Sequence, residues 1–381
     1  MEDDDDHDDD EGHEHKAGAK ARQRGLDATA QCLALCTDWA CCIVSARIWL
    51  LRIADQSLTS LDVSTASCAC FDANGTRLLV GGDDKQVTLY EELPAAKAVR
   101  QWTANKKIGR VAFSPDGQTA MWADLFGEVH GVALADADAA PALVLGHLSP
   151  VSHLVFTNCG KALLTSDREG HVRSSQWPHA FVIDCYYLWH TKPLLVLLPL
   201  VSNPLLLTAA ADGLEICAWR VHSGALLSRF PAAELLGSGG GSGASGGTGG
   251  TGPVAIACAC EVAPQGLVAL GFTGRHSISF CSPTCDWIAS TAKLSPRPEL
   301  ECTLSAEPLA MAYSAASSQL CLLLRGGTGL VLVPATAAGD GFNAKALTLV
   351  GLVAEPDAVL PPAAAEDSQA AAASPKRAKL S

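Results

Sequence analysis

The chain has 381 residues, of which 48% are hydrophobic, 18% are charged and 6% are aromatic, and its formal net charge is −13. This length predicts two or three ordinary domains or one large repeat fold, and the apolar fraction excludes a chain that is disordered throughout. Residues 1–15 hold ten Asp and Glu and no Lys or Arg, so the remaining residues carry 27 basic against 30 acidic groups. A body so close to neutrality does not indicate a basic nucleic-acid-binding domain.

The N-terminal residues 1–25 are predicted to form a disordered acidic tail. An acidic start is neither a secretory nor a mitochondrial presequence, so the 15 cysteines are expected to be reduced thiols. His7, His13 and His15 stand among the carboxylates and could hold a metal loosely, but we predict that they belong to a solvated, flexible tail. No membrane span is predicted, since the apolar run 193–207 is short and contains three prolines.

Between the two ends, the chain repeats itself. Segments 71–87, 113–129, 156–172 and 203–216 align, and their last apolar residues, Val87, Val129, Val172 and Ile216, are 42, 43 and 44 residues apart. A period of 40–45 residues with four short strands per unit is typical of a β-propeller. One such unit cannot bury both of its faces alone, whereas radial stacking buries them and protects the sheet edges.

Within each unit the sequence indicates a strand, a glycine turn, a strand, an Asp-containing turn and a further strand. Asn74-Gly75 and Asp116-Gly117 supply the positive φ that a tight turn needs. The run Phe113-Ser-Pro-Asp-Gly117 is typical of a WD repeat, as are the dipeptides Gly146-His147 and Ala218-Trp219 at the unit boundaries. We therefore predict an all-β, seven-bladed WD40-type propeller over residues 26–354; two smaller propellers or a pair of β-sandwiches would break the period.

Two further segments interrupt or follow this fold. Residues 237–252 contain ten glycines but lack the Gly-Lys-Ser/Thr ending of a phosphate-binding loop, so they are predicted to be a flexible loop insertion. Residues 355–381 form an Ala- and Pro-rich tail, predicted to be disordered, that ends in the basic cluster Lys376, Arg377 and Lys379. This cluster is similar to a nuclear import signal, and a solubilising terminus is the alternative.

The cysteines do not indicate a metal site. The pairs Cys68-Ala-Cys70 and Cys258-Ala-Cys260 lie in strand-like sequence, where a spacing of two places both thiols on one face. A zinc site needs four converging ligands, usually from Cys-x-x-Cys turns, which the chain lacks. Small buried thiols are the simpler interpretation.

No catalytic motif is found in the sequence. Carboxylates recur at one place in the repeat, where Asp side chains accept hydrogen bonds from turn N–H groups, so a structural role is predicted for them: Asp83, Asp84, Asp124, Asp167 and Asp212. His147 and His190 are likewise predicted to be structural histidines bonded to turns. The chain is therefore not expected to be an enzyme.

One charged stretch, residues 163–184, is not required by the repeat. If Val172 points inward, His171 and Arg173 point to the opposite face of their strand. A cation at this place is either a solvated edge residue or an anchor for an acidic partner.

The residues of this stretch resemble a known family. Thr165-Ser-Asp-Arg-Glu-Gly-His-Val-Arg173, Trp177-Pro-His-Ala-Phe-Val-Ile-Asp184, Ala123-Asp-Leu-Phe-Gly-Glu-Val129 and Leu145-Gly-His-Leu-Ser149 are similar to the non-catalytic WD-repeat subunit of the eukaryotic tRNA (guanine-N7)-methyltransferase. The similarity covers roughly residues 110–230. Gly170, Ser174 and the pair Trp189-His190 depart from the family pattern.

The resemblance implies a scaffold in a heterodimer with a Rossmann-type catalytic subunit. That subunit would hold S-adenosylmethionine and methylate a guanine in the tRNA variable loop, so no cofactor is expected in this chain. The resemblance places the partner-binding site at Arg173, with the neighbouring charged residues Arg168, Glu169 and His171. Lys106, Lys107 and Arg110 are candidate tRNA contacts, with a solvated face as the alternative.

Together these observations predict a nuclear, non-enzymatic scaffold that reaches tRNA mainly through its complex and does not bind a membrane. Two other classes fit the fold alone. One is a WD-repeat adaptor of another complex, such as a ubiquitin-ligase substrate receptor or a chromatin scaffold. The other is a propeller enzyme with its active site in the central channel, which would need converging polar groups that the sequence does not reveal.

Overall fold

The computed structural model describes residues 32–44, 47–236, 253–263, 265–315, 317–325, 329–334 and 348–351. Each sheet in these ranges is built from consecutive strands that pair antiparallel, and there are seven such sheets. The acidic segment 1–25, the glycine-rich segment 237–252 and the tail 355–381 with Lys376, Arg377 and Lys379 lie outside the described residues. No helix of the described ranges is long and apolar enough to cross a membrane.

We call the sheets blades 1 to 7 in chain order. Their strands are, for blade 1, β1 (Cys32–Leu35), β2 (Trp39–Val44), β3 (Arg47–Arg52) and β4 (Leu58–Leu61); for blade 2, β5 (Ala66–Phe71), β6 (Leu78–Gly82), β7 (Gln86–Glu91) and β8 (Lys97–Thr103); for blade 3, β9 (Ile108–Phe113), β10 (Thr119–Asp124), β11 (Glu128–Ala133) and β12 (Ala142–Gly146); for blade 4, β13 (Val151–Phe156), β14 (Ala162–Asp167), β15 (Val172–Gln176) and β16 (Ile183–Tyr187). They continue, for blade 5, with β17 (Leu194–Pro199), β18 (Leu205–Ala210), β19 (Glu215–Arg220) and β20 (Leu226–Pro231); for blade 6, β21 (Ile256–Val262), β22 (Leu267–Phe272), β23 (Ser277–Asp286), β24 (Thr291–Pro296) and the short β25 (Cys302–Thr303); and for blade 7, β26 (Pro308–Ser314), β27 (Gln319–Leu324), β28 (Gly329–Pro334) and β29 (Thr348–Gly351). Two 3₁₀ turns, Ala232–Leu235 and Pro298–Leu300, complete the described elements.

The first strands of the blades form a closed ring. Each first strand packs beside the first strand of the next blade, from β1 through β5, β9, β13, β17 and β21 to β26, which returns to β1. This ring surrounds a central channel of about 430 Å³. The predicted seven-bladed propeller is confirmed.

The repeat found in the sequence corresponds to equivalent positions of the blades. Val87, Val129, Val172 and Ile216 lie at the start of the third strands and are completely buried. Each belongs to a hydrophobic cluster that includes residues of the following blade. The burial of apolar side chains between sheets therefore holds the blades together. Gly75 and Gly117 adopt the predicted positive φ, at 69° and 66°.

The paired cysteines share a face, as the strand spacing predicts. Cys68 and Cys70 pack against the cluster between blades 2 and 3, and Cys258 and Cys260 pack in the cluster between blades 6 and 7. Desolvation raises the pKa of all four thiols, which keeps them protonated at neutral pH. Within the described ranges, no three His, Cys, Asp or Glu side chains are grouped as metal ligands.

A repeated hydrogen bond defines one side of the ring. In blades 2 to 7 an N–H in the turn between the second and third strands donates to a carbonyl in the loop that enters the blade, for example Leu125 to Lys107 and Arg168 to Pro150, at 3.0 and 2.9 Å. We call the side that carries these turns and inter-blade loops the upper face. The lower face carries the turns between the first and second strands and between the third and fourth strands.

Candidate partner-binding site on blade 4

The Asp residues of the repeat hold the turns of the upper face. Asp167 Oδ1 accepts hydrogen bonds from the backbone N–H groups of Glu169 and His171, both at 3.0 Å. In blade 3, Asp124 Oδ1 accepts from Phe126 and Glu128 at 2.8 and 3.0 Å. The predicted structural role is confirmed for these two carboxylates.

Among the other recurring carboxylates, Asp84 also has the predicted structural role. Asp84 accepts from the N–H of Gln86 at 3.0 Å. Asp83 and Asp212 instead form ion pairs with Lys107 and Lys192, at 2.9 and 3.1 Å. These two bonds join a turn to an inter-blade loop, so they too hold the upper face together.

Gly170 explains one departure from the family pattern. Its φ is +88°, and a Cβ built on it would lie 2.5 Å from the carbonyl oxygen of Lys192. The turn of blade 4 therefore packs directly against the loop that leads into blade 5. An acidic residue at this position would clash with backbone and occupy a strained conformation.

The two structural histidines bind hydroxyl groups of neighbouring strands. His147 Nε2 lies 2.7 Å from Thr165 Oγ1, and His190 Nε2 lies 2.8 Å from Thr208 Oγ1. Each ring reaches across its inter-blade loop to the second strand of the next blade, and His147 also lies 3.6 Å from the turn carboxylate Asp167. The predicted bond to a turn is therefore found for His147, whereas His190 binds a strand hydroxyl instead. Burial lowers the pKa of both histidines, and the Arg173 cation lowers that of His147 further while Asp167 opposes it.

Blade 4 lacks the tryptophan that completes this hydrogen-bond network in blade 5. There, Trp219 Nε1 donates to Thr208 Oγ1 at 2.8 Å. The equivalent residue of blade 4 is Ser175, which is completely buried. Ser174 beside it, a departure noted in the sequence, is also buried. Blade 4 thus has small polar side chains on its third strand where blade 5 has the large indole ring of Trp219.

Arg173 lies on this strand and is buried, with only 9% of its surface exposed. The alternative of a solvated edge residue is therefore wrong. One guanidinium nitrogen, Nη1, donates to the carbonyl oxygen of Gly146 at 3.1 Å. Nε and Nη2 are buried, and no described residue accepts a hydrogen bond from them. A buried cation with unmatched N–H groups is costly for the isolated fold.

The guanidinium faces a cavity of about 480 Å³ in the upper face. Residues 146–149, in and after β12, line one side, and the turn and outer strand of blade 4 line the rest through Asp167, Glu169, His171, Tyr186 and Leu188. Three of the four predicted partner-binding residues, Arg173, His171 and Glu169, therefore line one cavity. Arg168 is exposed on the same turn, beside it in sequence.

The imidazole of His171 is oriented by Asp167. His171 Nδ1 lies 3.2 Å from Asp167 Oδ2, and its side chain remains 54% exposed. His147 lies on the other side of the same carboxylate, at 3.6 Å. Asp167 is thus engaged by backbone N–H groups and two imidazoles, which explains why it does not pair with Arg173.

Sequence reasoning missed the apolar rim of this cavity. Leu148 is fully exposed, and Leu188 and Tyr186 are exposed by 61% and 47%. Leu148 occupies the variable position of the Leu-Gly-His-x-Ser run. An apolar residue at a loop tip, beside a polar motif, is the signal that would have indicated it.

The candidate tRNA contacts are not grouped. Lys106 and Lys107 lie on the upper face, where the Lys106 ammonium stands 4.1 Å above the exposed ring of Phe126 and Lys107 pairs with Asp83. Arg110 lies in β9 and lines the central channel together with His153. The three residues are close in sequence and therefore suggested a single basic patch. However, the inner strand β9 begins between Lys107 and Arg110, which places Arg110 in the channel.

The fold is shared with many solved propellers. The β-propeller of Swd1 from Myceliophthora thermophila ("Myceliophteria_thermophila Cps50") superposes with a TM-score of 0.60 over 79% of this chain and 94% of that chain, at 11% identity. The structure of U3-55K superposes equally well, at 15% identity over 78% of this chain and 89% of that chain. At such identities the likeness concerns the fold alone.

Two families match parts of the sequence. Residues 56–91 match the WD domain, G-beta repeat, and residues 135–239 match the tRNA methyltransferase TRM82 WD40 domain. The second match spans blade 4 and blade 5, and it contains the whole wall of the cavity over Arg173. The fold and these repeats define the chain as a WD-repeat β-propeller.

Within that class, part of the chain is similar to the non-catalytic subunits of tRNA (guanine-N7)-methyltransferase, as the sequence resemblance indicates. It is 31% identical to the non-catalytic subunit wdr4 of Xenopus laevis over 157 residues, which is 41% of this chain and 39% of that protein. It is 27% identical to the non-catalytic subunit TRM82 of Saccharomyces cerevisiae over 172 residues, or 42% and 38% of the two chains. The similarity thus spans about two fifths of the length of these relatives.

Proposed function

We propose that the chain is a non-catalytic scaffold that binds and orients the catalytic subunit of a tRNA (guanine-N7)-methyltransferase. The observation that carries the proposal is the Arg173 guanidinium, which is buried in the TRM82-like part of the chain and whose Nε and Nη2 meet no acceptor among the described residues. A propeller that folds alone has no need of such a group. A partner that brings a carboxylate would supply an acceptor for the guanidinium.

The cavity fits an acidic side chain in an apolar setting. A carboxylate can accept charge-assisted hydrogen bonds from a guanidinium, and the Arg173 side chain lines the cavity. Leu148, Tyr186 and Leu188 surround the site and would exclude water from the ion pair once a partner covers them. We therefore expect the partner surface to consist of an acidic residue flanked by apolar ones.

The division of labour follows from the named role of the relatives, which are non-catalytic subunits. The catalytic partner is expected to hold S-adenosylmethionine and to make most contacts with tRNA, whose variable-loop guanine it methylates. This chain would stabilise that enzyme and orient it through the upper face. Lys106 and Lys107 lie on the same face and remain candidates for an additional tRNA contact.

The test is a pull-down of the tagged chain from extract of its own cells, followed by mass spectrometry and a tRNA guanine-N7 methylation assay. We expect an active methyltransferase in the eluate. Arg173→Glu should weaken the complex by about 2–5 kcal/mol, the usual cost of breaking a buried ion pair. The control is Arg52→Glu, since Arg52 is an exposed arginine at the lower end of β3 that pairs with Asp55. An eluate that contains ubiquitin-ligase or chromatin subunits and no methylation activity would refute the proposal.

We also propose that the complex acts in the nucleus, on the strength of the basic cluster at residues 376–379. Replacement of Lys376, Arg377 and Lys379 by alanine should leave a fluorescent fusion of the chain in the cytoplasm. The control replaces Lys293 and Arg297 of blade 6, which are surface cations outside the cluster. Unchanged nuclear accumulation of the triple variant would exclude this cluster as the import signal.

A further inference from the structure

Exposed apolar side chains on the upper face are confined to blades 3, 4 and 5. Within the described ranges, six large apolar residues are exposed in the turns and inter-blade loops of this face, and all belong to these blades: Leu125, Phe126, Leu148, Leu188, Trp189 and Leu214. The corresponding turns of blades 2 and 6 expose Asp83-Asp84 and Arg275-His276 instead. Apolar side chains gathered on one part of a surface mark an interaction site.

The cavity over Arg173 is too small to be the whole of that site. Ten residues line it, whereas a stable protein–protein interface takes about 20–30 residues from each partner. A second cavity of about 310 Å³ lies beside it on blade 5 and is lined by nine residues. Leu188 lines the first cavity and Trp189 the second, so one inter-blade loop joins the two. A partner that covers the first cavity therefore has a continuous route onto the second.

Trp189 is held in one orientation at the edge of the second cavity. Its Nε1 donates to Glu215 Oε1 at 2.6 Å, and the Arg229 guanidinium stands 4.2 Å from the centre of its ring. Arg229 also pairs with Glu215 at 3.5 Å, which closes a group of three side chains. The tryptophan nevertheless remains 43% exposed. A large aromatic side chain that is fixed before binding loses little entropy when a partner covers it, which is the property of a binding hot spot.

The second cavity favours an apolar occupant. The charged groups that line it are already paired within the chain, since Lys192 binds Asp212 at 3.1 Å and Glu215 binds both Trp189 and Arg229. A charged group of a partner would therefore find no unpaired charge there. What the cavity leaves open is the apolar surface of Trp189 and of Leu214, which is 46% exposed.

We propose that the catalytic subunit covers both cavities and places an apolar side chain between Trp189 and Leu214, with Trp189 as an anchor of the complex. The inference rests on the proposed function, because it names the same partner. It adds a contact on blade 5 that does not depend on Arg173. It also gives a role to Trp189, one of the positions at which this chain departs from the family pattern.

The affinity of the complex tests the anchor. Purified catalytic subunit is titrated into the full chain in a calorimeter. Trp189→Ala should raise the Kd at least about tenfold, the effect of removing a hot-spot side chain. The matched control is Trp287→Ala. Trp287 is 40% exposed and lies 5.1 Å from the Arg220 guanidinium, but it belongs to the β23–β24 hairpin on the lower face, so its loss should leave the Kd unchanged.

A second variant separates binding from the folding of the loop. Trp189→Ala removes bonds that hold the loop between blades 4 and 5, whereas Leu214→Asp leaves those bonds in place. The new carboxylate would be covered by an apolar side chain without a partner, so the Kd should again rise at least about tenfold. The melting temperature of the free Leu214→Asp chain should stay that of the wild type, since Leu214 is exposed.

Hydroxyl-radical footprinting shows directly whether the tryptophan is covered. Oxidation of Trp189 should slow at least about threefold in the complex, as expected for a side chain buried at the centre of an interface, while oxidation of Trp287 does not change. A complex that forms with Trp189 unprotected, or whose Kd is the same for Trp189→Ala and Trp287→Ala, would overturn the inference and leave the proposed function standing. If the catalytic subunit does not bind the wild-type chain at all, the proposed function fails and the inference fails with it.

Discussion

The guanidinium of Arg173 donates to the carbonyl oxygen of Gly146 at 3.1 Å, and this bond ties the third strand of blade 4 to the outer strand of blade 3. It uses one of the arginine's donors and fixes the side chain beneath the cavity. The remaining donors are thus oriented before any partner arrives. Preorganisation of this kind lowers the entropy lost on binding.

The first prediction separates the role of Arg173 in folding from its role in binding. Arg173→Met keeps the volume of the side chain and removes a buried charge with unmatched donors. We expect the isolated chain to keep its unfolding free energy or gain about 1–2 kcal/mol, since such replacements are often neutral or stabilising. Partner affinity should fall at least tenfold in the same variant. Urea denaturation and titration with the methyltransferase subunit measure the two quantities, and a loss of stability equal to the loss of affinity would indicate a merely structural arginine.

The apolar rim gives a second prediction. Leu148→Ala should weaken the complex by about 1–2 kcal/mol, because the side chain would be covered at the interface. The melting temperature of the free chain should not change, since Leu148 is fully exposed. Ile288→Ala on the lower face is the control and should change neither quantity. Loss of affinity in both variants would point to a different interface.

The turn of blade 4 leads to a third prediction. Gly170→Ala should lower the unfolding free energy by about 1–3 kcal/mol, because the new Cβ meets the Lys192 carbonyl oxygen at 2.5 Å and φ is positive. Gly146→Ala is the control, since a Cβ there would have no atom within 4 Å. Equal stability of the two variants in urea would show that the turn adjusts without cost.

The hydrogen bonds of blades 4 and 5 predict which of two threonine substitutions destabilises the chain more. Thr208→Val removes the acceptor of Trp219 Nε1 and the partner of His190, whereas Thr165→Val removes the partner of His147 alone. Each buried polar group left unpaired costs about 1–3 kcal/mol, so Thr208→Val should destabilise the chain more. Thermal or urea unfolding gives the order directly, and the reverse order would be incompatible with this network.

A fifth prediction concerns pH. Burial and the nearby Arg110 cation lower the pKa of His153 from 6.5 to about 3, so its folded form stays neutral while the unfolded form takes up a proton below pH 6.5. The contribution of His153 to the free energy of unfolding is therefore fully present above pH 6.5 and decreases as the pH falls. Between pH 7 and pH 5 the loss should be about 2 kcal/mol. His153→Gln should reduce this slope in urea titrations, and an unchanged slope would show that other groups carry the pH dependence.

The sequence predicted the propeller because the physical cause of the fold is periodic. Buried residues such as Val87 and Val129 must recur wherever a third strand begins, and glycine turns such as Gly117 must recur between strands. Blades 1, 6 and 7 were harder to delimit, because hydrophobic packing between sheets tolerates many apolar sequences and their turns carry weaker signals.

For the cavity over Arg173, the sequence predicted the location but not the burial or the rim. The resemblance pointed to residues 168–173, but the burial of Arg173 depends on Gly146 of the preceding blade, 27 residues away in the chain. The position of Leu148 at the rim depends on the path of an inter-blade loop. Arg110 was grouped with Lys107 although the chain turns into the inner ring between them. Such relationships arise from the tertiary fold and leave no local pattern.

The closure of the ring has a mechanical consequence. Among the described strands, blade 1 contains only the first four and blade 7 only the last four, so none of them crosses from one end of the chain into the other blade's sheet. Side chains such as Trp49 and Leu323 pack across this junction, and Ser314 Oγ donates to the carbonyl oxygen of Thr37 at 3.5 Å. At the other six junctions the polypeptide itself links the blades. A pulling force or a denaturant would therefore separate blades 7 and 1 first. The ring would open at this junction while the other blades stay packed, and the chain would not unfold blade by blade from one end.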